Sequence, residues 1–189
     1  MTKAQAEGAS ERPADKPFIY LERHNHSHYT DELLRSILGQ VRTIAMVGAS
    51  TLWRRPSYYA AKYLDHKGFR IIPINPARVG DEILGEKVHG TIADVPGQID
   101  MLQIFRPSPE AWAITQETIR NKDAKGIKVL WMQLTVRDDA AAEIAEEAGL
   151  TVIMDRCPKI EYARLSGELS WSGINSRVIT AKSLRPPKA

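Results

Sequence analysis

The sequence predicts an α/β protein with a Rossmann-like, doubly wound and mostly parallel sheet of about five to six strands and helices on both faces. Two observations lead to this prediction. Short continuous apolar runs, typical of strands buried on both faces, alternate with helical segments of about eleven residues. Turn residues separate the two kinds of segment, so successive segments form right-handed units of strand, helix and parallel strand.

A leading helix is predicted first, because four leucine and isoleucine residues within 33–38 share one helical face before Gly39. The alternation then begins. The predicted strands cover 43–47, 70–74, 99–104, 128–132 and 151–154, with a short strand around 88, and the predicted helices cover 57–67, 110–121 and 138–148. Because Pro73 cannot donate a ladder hydrogen bond, we expect a bulge or an edge position in the second strand.

Residues 1–17 are polar and small, a composition that cannot offset the entropy of ordering, and they are predicted to form a flexible N-terminal tail. A single domain with its leading helix is assigned to 18–184, and a C-terminal tail to 185–189. The whole chain has 189 residues, of which 43% are hydrophobic, enough to bury one core.

The net charge, the apolar runs and the cysteine content indicate which partners and which cellular location to expect. The net charge of +3 gives no dense basic stripe, so we expect no nucleic-acid partner. No run approaches the ~18 apolar residues of a membrane span, so we expect no membrane partner. Cys157 is the single cysteine, which rules out an intramolecular disulfide and favours a reducing, cytoplasmic location.

The loop after the first strand is the most informative segment, because open parallel sheets bind ligands beyond the carboxyl ends of their strands. It offers a glycine for a sharp turn, hydroxyls, two arginines and the start of a helix, which together suit an anion. Without the remaining glycines of G-x-G-x-x-G, a plain structural turn stays open as the alternative. The candidate ligand-binding residues in this loop are Gly48, Ala49, Ser50, Arg54, Arg55, Pro56 and Ser57.

The end of the second strand bears on the kind of nucleotide. An NAD site asks for Asp or Glu there to hold the ribose hydroxyls, but this chain has Asn75, Pro76 and, close by, Arg78. A neutral amide with a nearby arginine better suits a ribose that carries an extra phosphate. Both NADP and the 3′-phosphorylated adenosine of coenzyme A (CoA) meet that condition.

Several segments together resemble the small stand-alone CoA-binding proteins, which are relatives of the CoA-binding domain of the succinyl-CoA synthetase alpha subunit. The run Asp-Arg-Cys-Pro-Lys-Ile-Glu at 155–161 is the least common of them. The matching segments, in family order, are 47–50 with 55–57, 72–76, 105–106, 131–134 and 154–161.

The resemblance implies a bound CoA or acyl-CoA and no assigned reaction, catalytic residue or metal. Its pyrophosphate would lie on the loop at 50–57, its adenosine toward Asn75 and Arg78, and its pantetheine past Phe105 and Arg106, with Gln133 also in the binding set. The chain departs from the family at Thr135, where relatives tend to have glycine. A homodimer and a complex with a partner subunit both stay open as assemblies.

Two other kinds of function remain as alternatives. The chain is an enzyme in one of them, either an NADP-linked oxidoreductase or a subunit of an acyl-CoA ligase that uses a phosphohistidine. His66 and His89 are the only histidines within the core of the domain, and neither matches a phosphohistidine loop. In the other alternative, the nucleotide site is vestigial and the protein serves interactions.

Some residues have a functional and a plain interpretation. Cys157 is interpreted as a small buried residue rather than a reactive thiol, since no histidine neighbours it. His24, His26 and His28 alternate as metal ligands in a strand can, but we interpret them as surface residues. Asp155, Lys159 and Glu161 are either an acid-base set or ion pairs after the last strand; both stay open.

Overall fold

The computed structural model describes residues 26–167. Both predicted tails and His24 lie outside this part of the chain. Its five α-helices are α1 (Asp31–Gln40), α2 (Pro56–His66), α3 (Ser108–Lys125), α4 (Asp139–Glu147) and α5 (Pro158–Leu165). The strands of this part are β1 (Thr43–Val47), β2 (Arg70–Ile74), β3 (Glu82–Ile83), β4 (Glu86–Lys87), β5 (Met101–Ile104), β6 (Val129–Met132) and β7 (Thr151–Ile153).

The main sheet has five strands in the order β2-β1-β5-β6-β7, and all its neighbouring strands are parallel. The strands β3 and β4 form a separate antiparallel pair. This arrangement confirms the predicted Rossmann-like α/β fold. Strand order reverses between β1 and β5, because the chain first runs outward to β2 and then returns to the other side of β1. Ligands of open parallel sheets bind at such a reversal.

Pro73 lies in the edge strand, as expected, and no bulge accompanies it. The β1–β2 register runs without interruption from the Thr43–Arg70 pair to the Val47–Ile74 pair. An edge position accommodates proline because the outer side of β2 carries only a bridge to His89, in which Pro73 accepts a hydrogen bond at 3.0 Å and need not donate one. The predicted strand around 88 is reduced to a single bridge, in which His89 pairs with Ile74 beyond the hairpin of β3 and β4.

Helices cover both faces of the sheet, which explains the continuous apolar runs of its strands. Residues of α1, α2 and α5 pack with Met46 and Trp131 on one face. Residues of α3 and α4 pack with Leu102 and Leu130 on the other. The sequence interpretation missed α5, although Pro158 opens the helix at a position that proline favours. No helix of the described chain is long and apolar enough to span a membrane.

The segment before α1 is fastened across the end of β7 by a buried hydroxyl. The Met154 amide donates to Tyr29 Oη at 2.8 Å, and His26 Nδ1 lies 2.9 Å from the same oxygen. His26 Nε2 lies 3.3 Å from Glu146 Oε1. In addition, Arg137 donates to the His26 carbonyl at 3.2 Å. His26 is therefore half-buried and engaged, whereas the sequence interpretation placed it on the surface.

This contact makes the stability depend on pH. Burial, helped by the charge of Arg137, lowers the pKa of His26, while Asp139 acts in the opposite direction. The unfolded chain therefore binds the proton more readily, and the stability that neutral His26 provides is lost as the pH falls. Between about pH 7.5 and about pH 5.5, urea unfolding should show a steeper loss of stability for the wild type than for His26→Asn. The exposed His28→Asn is the control; parallel curves for wild type and His26→Asn would contradict the expectation.

Candidate functional site

The carboxyl end of β1 lies at the reversal of strand order, and it needs glycine there. Gly48 has φ of +89°, and its amide donates to the Ile74 carbonyl at 2.9 Å. A Cβ at this position would lie 2.6 Å from the Phe105 oxygen and 2.8 Å from Arg106 Cδ. The close approach brings the first predicted segment and the Phe105–Arg106 pair together across the two central strands.

The loop from Ala49 to Arg55 leaves this turn and is largely exposed. Its base is held by Asn75, whose Nδ2 donates to the Ala49 carbonyl at 2.8 Å. Within the loop, the Leu52 amide donates to Ser50 Oγ at 3.2 Å. Trp53, in the same loop, is 69% exposed. An indole this exposed and this close to the site is a feature that the sequence interpretation did not single out.

Helix α2 presents its N-terminus to the loop. Arg55 is its N-cap residue and makes no side-chain capping hydrogen bond, while Pro56 follows in the first turn. Ser57 is 5% exposed and sits in the same turn. Pro56 has no N–H, and the Tyr58 amide donates to the Arg55 carbonyl at 3.0 Å, so α2 offers the positive end of its dipole rather than a set of free amides. This end of α2 is therefore suited to an anion.

The four candidate arginines differ in their partners. Arg106 forms a bidentate pair with Glu110 at 2.8 Å for both contacts, and this hydrogen bonding raises the pKa of Arg106. Arg78 lies 3.7 Å from Asp81. Within the described residues, neither Arg54 nor Arg55 forms an ion pair, and both are exposed. The unpaired positive charge of the site is thus concentrated on the loop.

The side chain of Asn75, at the end of β2, forms hydrogen bonds within the protein. Besides holding the loop, Asn75 accepts a hydrogen bond from the Ala77 amide at 3.1 Å, as it caps the short 3-10 helix Pro76–Arg78. Both ends of its side-chain amide are thus engaged within the protein. A contact between Asn75 and a ribose stays a prediction.

Gln133 follows β6, one strand further from the loop. Its amide donates to the Ile104 carbonyl at 3.0 Å, which places it level with Phe105 along the edge of the sheet. Its side-chain Oε1 accepts from Gln103 Nε2 at 2.9 Å. Gln103 was missed as a candidate, although a polar residue inside an otherwise apolar strand is a signal. Glu110 was missed as well, although it stands four residues after Arg106, the spacing of a helical ion pair.

Thr135 lies in a turn whose backbone conformation favours glycine. Thr135 has φ of +69°, in the left-handed region, where a β-branched residue is strained. Its amide donates to Asp155 Oδ1 at 2.7 Å, and Asp155 itself has φ of +51°. Glycine, the residue that the family resemblance implies at this position, would adopt the turn without that strain.

We therefore expect Thr135→Gly to raise the free energy of unfolding by about 1 kcal/mol, since strain relief exceeds the entropy that glycine loses on folding. Urea unfolding measures the change. Thr51→Gly is the matched control, because Thr51 is not among the described residues with positive φ, and it should destabilise. Destabilisation by Thr135→Gly would contradict the strain argument.

The remaining candidates after β7 have different partners in the structure. Cys157 is free and buried, as interpreted. Glu161 is buried and accepts twice from Arg164, at 3.0 and 2.8 Å, so it belongs to an ion pair. Lys159 instead lies 5.8 Å from the centre of the Tyr63 ring. No cluster of three or more metal-ligating side chains occurs within residues 26–167.

Known proteins share much of this chain. The uncharacterized protein YneT of Bacillus subtilis (strain 168) is 34% identical over 130 residues, which cover 69% of this chain and 92% of YneT. Acetate–CoA ligase (ADP-forming) II of Archaeoglobus fulgidus is 32% identical over 117 residues, or 61% of this chain and 16% of the ligase. The similarity to the ligase thus concerns one small part of that protein.

Solved structures agree with the fold and the extent of the similarity. A hypothetical protein from Pyrococcus horikoshii OT3 superposes with a TM-score of 0.68 and 33% identity, covering 76% of this chain and 96% of its own. The family described as CoA binding domain matches residues 42–163, which extend from just before β1 into α5. On this match, the chain belongs to the CoA binding domain family.

Proposed function

We propose that this protein holds CoA or an acyl-CoA through the loop after β1, without independent catalysis. One observation carries the proposal: two exposed arginines that form no ion pair within residues 26–167, Arg54 and Arg55, adjoin the N-terminus of α2, which has no side-chain cap, at the reversal of strand order. Guanidinium forks and the positive ends of helix dipoles are groups that proteins use to bind phosphate oxygens. Membership of the family supports CoA as the source of those phosphates.

In the proposed complex the pyrophosphate lies against the loop at 50–57. The 3′-phosphorylated adenosine extends toward Arg78 and the end of β2, where residues 75–78 include no Asp or Glu to hold a 2′,3′-diol and the nearby Asp81 carboxylate is engaged by Arg78 at 3.7 Å. The pantetheine arm crosses Phe105 and Arg106 and reaches Gln133. These positions follow the edge of the sheet outward from β1 in both directions.

A ligand panel tests the proposal. Small molecules released by denaturing the purified protein are identified by mass spectrometry, and the stripped protein is titrated calorimetrically with CoA, acetyl-CoA, NADPH and NADH. We expect CoA and acetyl-CoA to bind with at least tenfold higher affinity than either nicotinamide dinucleotide. Tight binding of NADPH without a response to CoA would replace the proposal with the oxidoreductase alternative.

A role as a ligase subunit is the second candidate, favoured by the similarity to part of an acetate–CoA ligase. Such a subunit needs a partner and a phosphohistidine. His66 is exposed in the last turn of α2, and His89 is tied by its backbone to Pro73, with a nitrogen-to-oxygen distance of 3.0 Å. Phosphorylation of either histidine during incubation with acetyl phosphate would favour this candidate; a protein that binds CoA and takes up no phosphate supports simple binding.

A further inference from the structure

Two glutamine side chains form a hydrogen bond inside the sheet, one from β5, the neighbour of β1, and one from the end of β6. Gln103 stands in β5 among apolar residues and is fully buried. Its Nε2 donates to Gln133 Oε1 at 2.9 Å, and Gln133 retains 8% exposure. The two residues alternate with Leu102 and Met132, so they point to the sheet face that α2 and α5 cover.

Gln103 occupies this position at a cost to stability. Its Oε1 is buried without a hydrogen-bond partner, and Thr115 Oγ1 is the other such atom in the described part of the chain. Burying an unpaired amide oxygen is unfavourable, and an apolar side chain of similar size would avoid the penalty. Buried polar atoms without a hydrogen-bond partner are uncommon in protein cores, and functional sites are where such atoms are expected.

The geometry of Gln133 supplies the reason. Its Oε1 is occupied by Gln103, which fixes the orientation of its amide plane, while its Nε2 donates to no residue within 26–167. That nitrogen is not among the fully buried atoms without a partner, and the Gln133 backbone lies level with Phe105 at the edge of the sheet. A neutral amide donor in this position suits a neutral acceptor such as a carbonyl, because phosphate is served by the arginines on the loop.

We propose that Gln133 Nε2 donates to a carbonyl of the pantetheine arm or of its thioester, and that Gln103 is the positioning residue that orients the Gln133 amide for this contact. The inference rests on the proposed binding of CoA and assigns recognition of the non-nucleotide part of the ligand. The protein thereby distinguishes CoA from its nucleotide half.

The test compares CoA with 3′-phosphoadenosine 5′-diphosphate, which lacks the arm, by calorimetry on the full chain. In Gln103→Met, an unbranched apolar replacement, we expect the affinity for CoA to fall about tenfold and the affinity for the nucleotide half to stay within twofold. The urea midpoint of this variant should rise or stay unchanged, because the unpaired oxygen is removed. Loss of arm affinity without loss of stability is a result that a merely structural role does not give.

Thr115→Val is the matched control. It removes the other unpaired buried oxygen, on the helix that packs against the opposite face of the sheet, and should leave both affinities unchanged. Gln133→Leu removes the donor itself and should reproduce the selective loss, which keeps the test open if Gln103→Met folds poorly. Equal losses for the two ligands, or no loss for CoA, would overturn the inference. A wild type that binds neither ligand would instead refute the proposed function.

Discussion

Gly48→Ala is expected to lower the free energy of unfolding by about 3 kcal/mol, which combines a left-handed backbone with a steric clash. The φ of +89° disfavours any L side chain. In addition, the new methyl would lie 2.6 Å from the carbonyl oxygen of Phe105, a residue whose amide donates to the Val47 carbonyl of β1 at 2.8 Å. Urea unfolding followed by circular dichroism measures the loss.

Gly149→Ala separates the two contributions. Gly149 ends α4 with a similar φ of +85°, but a Cβ there meets nothing within 4 Å. This control therefore carries the backbone penalty alone and should cost about 1 kcal/mol. If both variants lower the free energy of unfolding by the same amount, the close approach of Gly48 to Phe105 contributes nothing to the loss. We also expect Gly48→Ala to weaken CoA binding, because relief of the clash moves the base of the loop away from Phe105.

The fold was predictable because its signals are local. Strands such as β1 and β6 are buried on both faces, so their sequences are continuous apolar runs that contrast with the helices between them. Strand order could not be predicted in the same way, because it depends on which strands pair after the chain has folded. The handedness rule limits the choices without fixing the position of β2 at the edge. Helix α5 was missed because its polar residues and its short length give no clear helical periodicity.

The candidate site was predictable as a set of segments and not as a set of contacts. Residues after parallel strands gather at one edge, so the loop at Gly48 and the Phe105–Arg106 pair could both be selected as candidates from their places after strands. Which arginines are neutralised depends on side-chain positions that only the fold supplies. Similarly, the sequence shows Gln103 only as one polar residue in an apolar strand, and its hydrogen bond with Gln133 is known from the structure alone.

The difference among the arginines leads to the second large prediction. We expect the double variant Arg54→Ala/Arg55→Ala to bind CoA roughly 100-fold more weakly than the wild type, because each charge-assisted contact contributes about 1–3 kcal/mol. Arg55→Ala alone should account for about tenfold of this loss. Both side chains are exposed, so the unfolding midpoint should change little. Calorimetric titration at two ionic strengths measures the affinity and its dependence on salt.

Arg106→Ala and Arg78→Ala are the matched controls, because they remove the same positive charge from arginines that already have carboxylate partners. A phosphate that recruits Arg106 must compete with Glu110, which holds the guanidinium by two hydrogen bonds of 2.8 Å. The net gain from that exchange is smaller than the gain from an unpaired arginine, so each control should lose less affinity than Arg55→Ala. If Arg106→Ala is the most damaging single variant, the anion lies between β5 and α3, and the loop after β1 is not its principal site.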